Sequence, residues 1–399
     1  MTISEPIIRL AAKGDGITET GRHAAGAVPG DTIDAEGTIT PGPHHIAPVC
    51  RHFATCGGCQ LQHAHDAVLA DFVRDRVVNA AKGQGLEPAE VLPVHLSPPH
   101  TRRRAGLHGL RTARGAVLGY REGGSHRIVD LAECPVLHPA LAALIAPLRA
   151  FVAAHGPKGM VGIDLTLADQ GVEANLLHFP LEGLGPTEAA LDFARDHALA
   201  RLTIDQGYGP ETLWEPEPVT VTLAGVPVGL PPGAFLQATR DGEAALVAAA
   251  QGWLVGAATV ADLFSGLGTF AFALAGPGTK VLAVEAARDA HMACQSAARM
   301  QGKPVHALHR DLFRNPLQKA ELDRFAAVLL DPPRAGAREQ VLQLATSAVP
   351  RVVYVSCNPA SWAKDAVTLI EGGYRLAGLV PVGQFRWSTH VELASLFVR

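Results

Sequence analysis

The feature that most constrains the fold of this chain is the regular alternation that begins after Phe235. Apolar runs suited to strands fall at 259–264, 280–284, 326–330, 352–356 and 391–398, and alanine-rich segments long enough for helices separate them. Strands linked through helices are parallel neighbours in one sheet. An α/β fold with a doubly wound parallel sheet is therefore expected over residues 235–399. Upstream, short alternating stretches such as 161–167 and 219–223 mix with helix-like text such as 137–154. This predicts an α+β domain over residues 47–234. Residues 7–40 carry brief β-like runs broken by Gly14-Asp15-Gly16 and Pro29-Gly30. They suggest a small β element within residues 1–46, too short for a complete barrel.

The turn after the first predicted strand reads Asp262-Leu263-Phe264-Ser265-Gly266-Leu267-Gly268-Thr269, and the next strand ends on Glu285. Paired glycines let a backbone approach a nucleoside cofactor, and an acid about 20 residues on accepts hydrogen bonds from ribose hydroxyls. Two glycines also serve any tight strand-to-helix turn, so the turn is weak alone. A dinucleotide-binding oxidoreductase would want a third glycine, where Phe270 and Ala271 stand. The string resembles motif I of class I methyltransferases. Asp311, in Arg310-Asp311-Leu312, resembles their adenine-contacting acid, although it also suits an ordinary helix cap.

Two strings sit at the carboxyl ends of later strands, where open sheets of this kind build their sites. The first is Asp331-Pro332-Pro333-Arg334-Ala335-Gly336, whose prolines stiffen the loop. Arg334 stands where amino-group methyltransferases carry a base-stacking aromatic. The second, Ser356-Cys357-Asn358-Pro359, puts a cysteine just before a helix start, a position expected to favour the thiolate. Glu392 opens the last strand and could carry a carboxylate to the same face. Cys294 reads as structural, mid-helix.

Cys50, Cys56 and Cys59 are followed by a solitary Cys134 before Pro135. Four such cysteines in a cytoplasmic chain are poor disulfide candidates and good metal ligands. Structural zinc usually takes paired knuckles, so three close cysteines and a distant Cys-Pro favour a [4Fe–4S] cluster over zinc.

The chain has 399 residues, 48% hydrophobic and 18% charged, which excludes disordered and collagen-like classes. No run of 18 apolar residues and no signal-peptide pattern is present, so a cytoplasmic location is expected. The formal charge of −4 gives no global reason to expect a polyanionic partner. Between His100 and Arg127, however, Arg102, Arg103, Arg104, Arg111, Arg114, Arg121 and Arg127 face one acid, Glu122. That patch suits phosphate docking, or else is a solvated strand surface. As a docking patch, reversal of Arg102, Arg103 and Arg104 should weaken RNA binding and spare cofactor affinity.

Together these strings, with Gly57-Gly58, Gln60-Leu61-Gln62-His63 and Phe235-Leu236-Gln237, resemble the iron–sulfur uridine-5 RNA methyltransferases, over about residues 50–399. The resemblance implies an S-adenosylmethionine-dependent enzyme acting on RNA, mostly large ribosomal RNA, as a monomer. It implies cofactor contacts from Gln237, Phe264, Thr269, Glu285, Asp311 and Asp331, a nucleophile at Cys357 and a base at Glu392. It also implies cluster ligands at Cys50, Cys56, Cys59 and Cys134. Three places depart from the pattern. The N-terminal segment is a truncated version of the family's OB-like TRAM domain, Thr269 stands where asparagine is frequent, and Phe385-Arg386-Trp387 replaces an Asp-Met-Phe-Pro-like string. The rival readings are a cytosine-5 methyltransferase, which also needs a cysteine, and a catalytically silent RNA-binding protein.

Overall fold

The structure, a computed structural model, describes residues 4–399. Five short strands open it: β1 (Glu5–Leu10), β2 (Gly16–Thr18), β3 (His23–Ala24), β4 (Thr32–Ile33) and β5 (Ile39–Thr40). They form an antiparallel sheet in the order β3-β2-β1-β4-β5 over a small core of Ile7, Ala24, Ala27 and Ile33. So small a core needs polar ties. Buried Asp31 supplies them, accepting from the backbone N–H of Val28 (2.9 Å) and Gly42 (2.7 Å) and pairing with His45.

After α1 (Asp66–Lys82) and β6 (His95–Leu96), the middle of the chain forms β7 (Arg104–Thr112), β8 (Gly115–Gly119), α2 (Pro139–Ala142), α3 (Ile145–His155), β9 (Met160–Leu167), β10 (Val172–Leu177), α4 (Leu184–Asp196), β11 (Arg201–Asp205) and β12 (Pro210–Trp214). Their six strands run in the order β12-β11-β10-β9-β7-β8. Alternating residues such as Leu107, Ile163, Leu165 and Leu202 meet Leu148 and Phe151 of α3 in one apolar cluster. A hairpin, β13 (Thr220–Leu223) and β14 (Val226–Gly229), leads onward.

The last part contains α5 (Arg240–Leu254), β15 (Thr259–Leu263), α6 (Thr269–Leu274), β16 (Lys280–Glu285), α7 (Arg288–Met300), β17 (Val305–His309), α8 (Lys319–Leu322), β18 (Ala327–Leu330), α9 (Arg338–Thr346), β19 (Arg351–Ser356), α10 (Pro359–Glu371), β20 (Arg375–Gly383) and β21 (Glu392–Val398). The eight-stranded sheet runs β17-β16-β15-β18-β19-β21-β20-β6. All five predicted strands are present. β17, β20 and β6 lie outside that set, and β17 mixes apolar residues with His306 and His309, as suits a sheet edge. The sheet is not purely parallel, since β21 runs antiparallel to β19 and β20. The loop between β20 and β21 is too short for the crossover that a parallel pair requires. A second difference concerns the middle span. α1 packs on α10 and β20, and β6 pairs with the end of β20, so residues 66–96 belong structurally with the large sheet.

Candidate active site

The loops after β15, β18 and β19 leave the same edge of the parallel core, as the placement of their strings requires. After β15, Phe264 takes a left-handed backbone (φ 64°), strained for a non-glycine residue, and Gly268 (φ 95°) starts α6. Cys294 lies directly beneath this turn, where a Cβ on Gly268 would come within 2.9 Å of its sulfur, so its structural reading holds. Glu285, at the tip of β16, accepts from the N–H of Gly266 (2.8 Å) and Ala287 (2.6 Å). Its carboxylate is thereby fixed beside the glycine turn. The Phe264 ring meets that of Phe313 at 5.4 Å between centroids.

The loops after β18 and β19 are bonded to each other. The Arg334 carbonyl accepts from Asn358 Nδ2 (2.9 Å) and Ser361 Oγ (3.0 Å). Asn358 also caps α10, accepting from Ala360 N–H, with Pro359 in the first turn. Asp365 of α10 accepts from Ala337 N–H (2.7 Å) and the Tyr354 hydroxyl (2.6 Å), which anchors the far end of the Asp-Pro-Pro loop.

These elements enclose a cleft of about 700 Å³. Gln237, Phe264, Thr269, Glu285, Asp331, Cys357 and Glu392 all line it. Asp311 does not. Its carboxylate accepts from the N–H groups of Phe313 (2.9 Å) and Arg314 (3.3 Å) in a turn that starts no helix, while its neighbours Arg310 and Leu312 line the cleft.

Acidic side chains lie at and beneath the floor of the cleft. Burial pushes Asp262 up to about 8 and, aided by Glu392 and Asp262, lifts Asp331 well above the carboxylate range. Burial also pushes Glu392 up to about 7, against the opposing pull of a Gln384 hydrogen bond and Arg334. Where the helix start was expected to favour a thiolate at Cys357, burial above all, then Glu392 and Asp331, push this thiol up to about 11, with Arg334 opposing. Its proton must leave during the reaction. Two residues with evident roles here escaped the sequence reading. Phe313 follows an acid that drew the attention, and Gln384, 1% exposed, is the lone polar residue ending an apolar strand.

The arginine patch also divides differently from the expectation. Arg103 is 1% exposed, pairs with Glu243 of α5 at 2.5 Å and donates to the Gln237 carbonyl at 2.9 Å. Arg104 donates to the Leu236 carbonyl (2.9 Å) and covers the Phe235 ring. Arg102 donates to the Arg104 carbonyl and stacks on Phe385. This run fastens the Phe235–Gln237 loop to the middle domain, so its reversal cannot spare the cleft. Arg111, Arg114 and Arg127 remain exposed.

Cys50, Cys56, Cys59 and Cys134 line a separate cavity of about 40 Å³ with Tyr120 and Arg102. Gly57 is required there, since a Cβ would meet the Arg121 carbonyl at 2.9 Å. Burial and the neighbouring thiols push Cys59 up to about 12. Among the described residues, no three potential ligands converge tightly enough to hold a single metal ion.

Residues 254–399 match the family model described as tRNA (uracil-5-)-methyltransferase. An RNA methyltransferase of Zymomonas mobilis is 50% identical over 98% of this chain and 99% of its own length. The 23S rRNA (uracil(1939)-C(5))-methyltransferase RlmD of Edwardsiella ictaluri is 34% identical, covering 90% of this chain and 83% of that one. The crystal structure of Pyrococcus abyssi tRNA (uracil-54, C5)-methyltransferase with S-adenosyl-L-homocysteine shares the fold. Its TM-score is 0.77 at 22% identity over 99% of this chain and 100% of that one. With a cleft built on class I methyltransferase loops and relatives this similar along nearly the whole sequence, the chain belongs to the S-adenosylmethionine-dependent RNA uracil-5-methyltransferase family.

Proposed function

We propose that this enzyme methylates carbon 5 of a uridine in large-subunit ribosomal RNA through a covalent adduct to Cys357. The observation that carries the reading is the convergence of Cys357, Glu392, Asp331 and Gln237 in one cleft beside the nucleoside-type turn. The ribosomal substrate of the Edwardsiella relative supports the choice of RNA.

S-adenosylmethionine, when bound, supplies an electrophilic methyl group. Glu285 would take its ribose hydroxyls, the Phe264 and Phe313 rings its adenine, and Thr269 and Asp331 would line the remainder of its site, with Gln237 shared between the cofactor and the base. Carbon 5 of uracil is too weak a nucleophile to take up that methyl unaided. The Cys357 thiol therefore first gives its proton to solvent, the thiolate sulfur adds to carbon 6, and the electron pair of the 5,6 double bond moves onto the carbon-4 oxygen as an enolate. Once carbon 5 carries the methyl, Glu392 removes its proton, the double bond reforms and the carbon–sulfur bond breaks. A raised carboxyl suits this work, because a base near neutrality accepts and sheds a proton readily. Carbon 6 is reachable only from the face of an unstacked base, so the target is flipped or lies in a single-stranded loop. The exposed Arg111, Arg114 and Arg127 would serve the RNA backbone. The N-terminal strands would serve it as a reduced OB-like element.

Digestion of methyl-labelled RNA to nucleosides tests the reading. Label in 5-methyluridine is the expected result. Label in 5-methylcytidine would establish the cytosine-5 alternative, and absence of label a silent RNA-binding protein.

We further infer a [4Fe–4S] cluster on Cys50, Cys56, Cys59 and Cys134. Four thiols line one small cavity beside Glu133, and thiolates are the soft donor set that such a cluster takes. It would tie the loop at 50–59 to Cys134 and thus to the segment at 136–138 that bonds the Arg102 backbone. Anaerobically purified protein should be brown and hold about four irons per chain. Stoichiometric zinc without iron would contradict the assignment.

A further inference from the structure

We propose that Gln384 is a positioning residue that fixes which end of the Gln237 amide faces the substrate base, and that it thereby favours uracil over cytosine. The inference rests on the uridine reading above and adds the means of discrimination.

Gln384 follows β20 and is 1% exposed. Its Oε1 accepts from the backbone N–H of Ala238 at 3.0 Å. A backbone N–H can only donate, so this bond settles the orientation of the Gln384 amide. Its Nε2 is consequently directed at Gln237 Oε1, 2.8 Å away. With Oε1 engaged, Gln237 must present its Nε2 to the cleft, where one hydrogen reaches Asp331 Oδ2 at 3.3 Å. The second hydrogen remains for a ligand acceptor. Packing leaves Gln384 little room to turn. A Cβ on Gly242 would fall 2.7 Å from the Gln384 Cβ, so helix α5 presses directly on it.

Uracil and cytosine differ at carbon 4, where one carries a carbonyl acceptor and the other an amino donor. An amide nitrogen aimed into the cleft complements the carbonyl and opposes the amino group. The polarity begins at a main-chain N–H that no rotamer change can reverse, and it passes through Gln384 to Gln237.

The test uses the full-length protein and Gln384→Glu and Gln384→Met variants. The substrates are a large-subunit ribosomal RNA transcript and the same transcript with cytidine at the methylated position. Glutamate satisfies the Ala238 N–H but offers Gln237 only acceptors, which turns the Gln237 oxygen toward the cleft. The uridine-over-cytidine preference should fall by about tenfold or more in Gln384→Glu, the effect of one misdirected buried hydrogen bond. Methionine removes the orienting groups and should give an intermediate loss. If glutamate beside Glu392 prevents folding, the methionine variant carries the test alone. A folded variant that keeps the parent's preference overturns the role of Gln384, while parental turnover on the uridine transcript keeps the underlying reading. A parent that methylates no uridine overturns both.

Discussion

Arg103→Ala should destabilise the protein by about 3–5 kcal/mol, the usual cost of removing one partner from a buried ion pair. The arginine side chain is 2% exposed and its partner Glu243 13% exposed, so the deletion strands a carboxylate in the first turn of α5 with little solvent to screen it. It also frees the Gln237 carbonyl, which Arg103 holds at 2.9 Å. The damage therefore extends from stability to the cleft, and cofactor affinity should fall together with the midpoint of urea unfolding. Arg114→Ala is the control. That residue is exposed and has no side-chain ion pair among the described residues, so its stability should stay within about 0.5 kcal/mol of the parent. An Arg103→Ala protein of parental stability, whose RNA binding alone loses salt dependence, would return Arg103 to a surface docking role.

Arg103 also shows where sequence reading reached its limit. A run of three arginines on an alternating strand looks like a charged stripe, since nothing local says that another domain will cover it. Burial was decided by Glu243 and the Gln237 carbonyl, more than 130 residues away in the chain. The strand-tip motifs were legible for the opposite reason. Parallel sheets place their loops by topology, so the order of Asp262, Asp331 and Cys357 along the chain already put them at one edge. The thiol's state was not legible, because it depends on Glu392 and Asp331 facing Cys357 across that edge. The antiparallel β21 and the return of α1 and β6 to the large sheet were hidden likewise, as pairing partners carry no mark in an apolar run. Asp311 had two readings in the sequence, a cofactor contact and a helix cap, and its carboxylate instead closes a turn outside the cleft.

The second large effect concerns catalysis. Cys357→Ala should abolish turnover and every covalent species, because no other thiol lines the cleft. Glu392→Gln should still permit addition and methyl transfer but not removal of the carbon-5 proton, since glutamine keeps the size of the side chain and lacks the basicity. The methylated adduct then accumulates. Denaturing electrophoresis of Glu392→Gln incubated with ribosomal RNA and methyl-labelled S-adenosylmethionine tests the central claim most directly. The account predicts a labelled RNA–protein band that requires the cofactor and disappears in the Cys357→Ala, Glu392→Gln double variant. Normal turnover by Glu392→Gln without a trapped band, or a band that persists without Cys357, would contradict it.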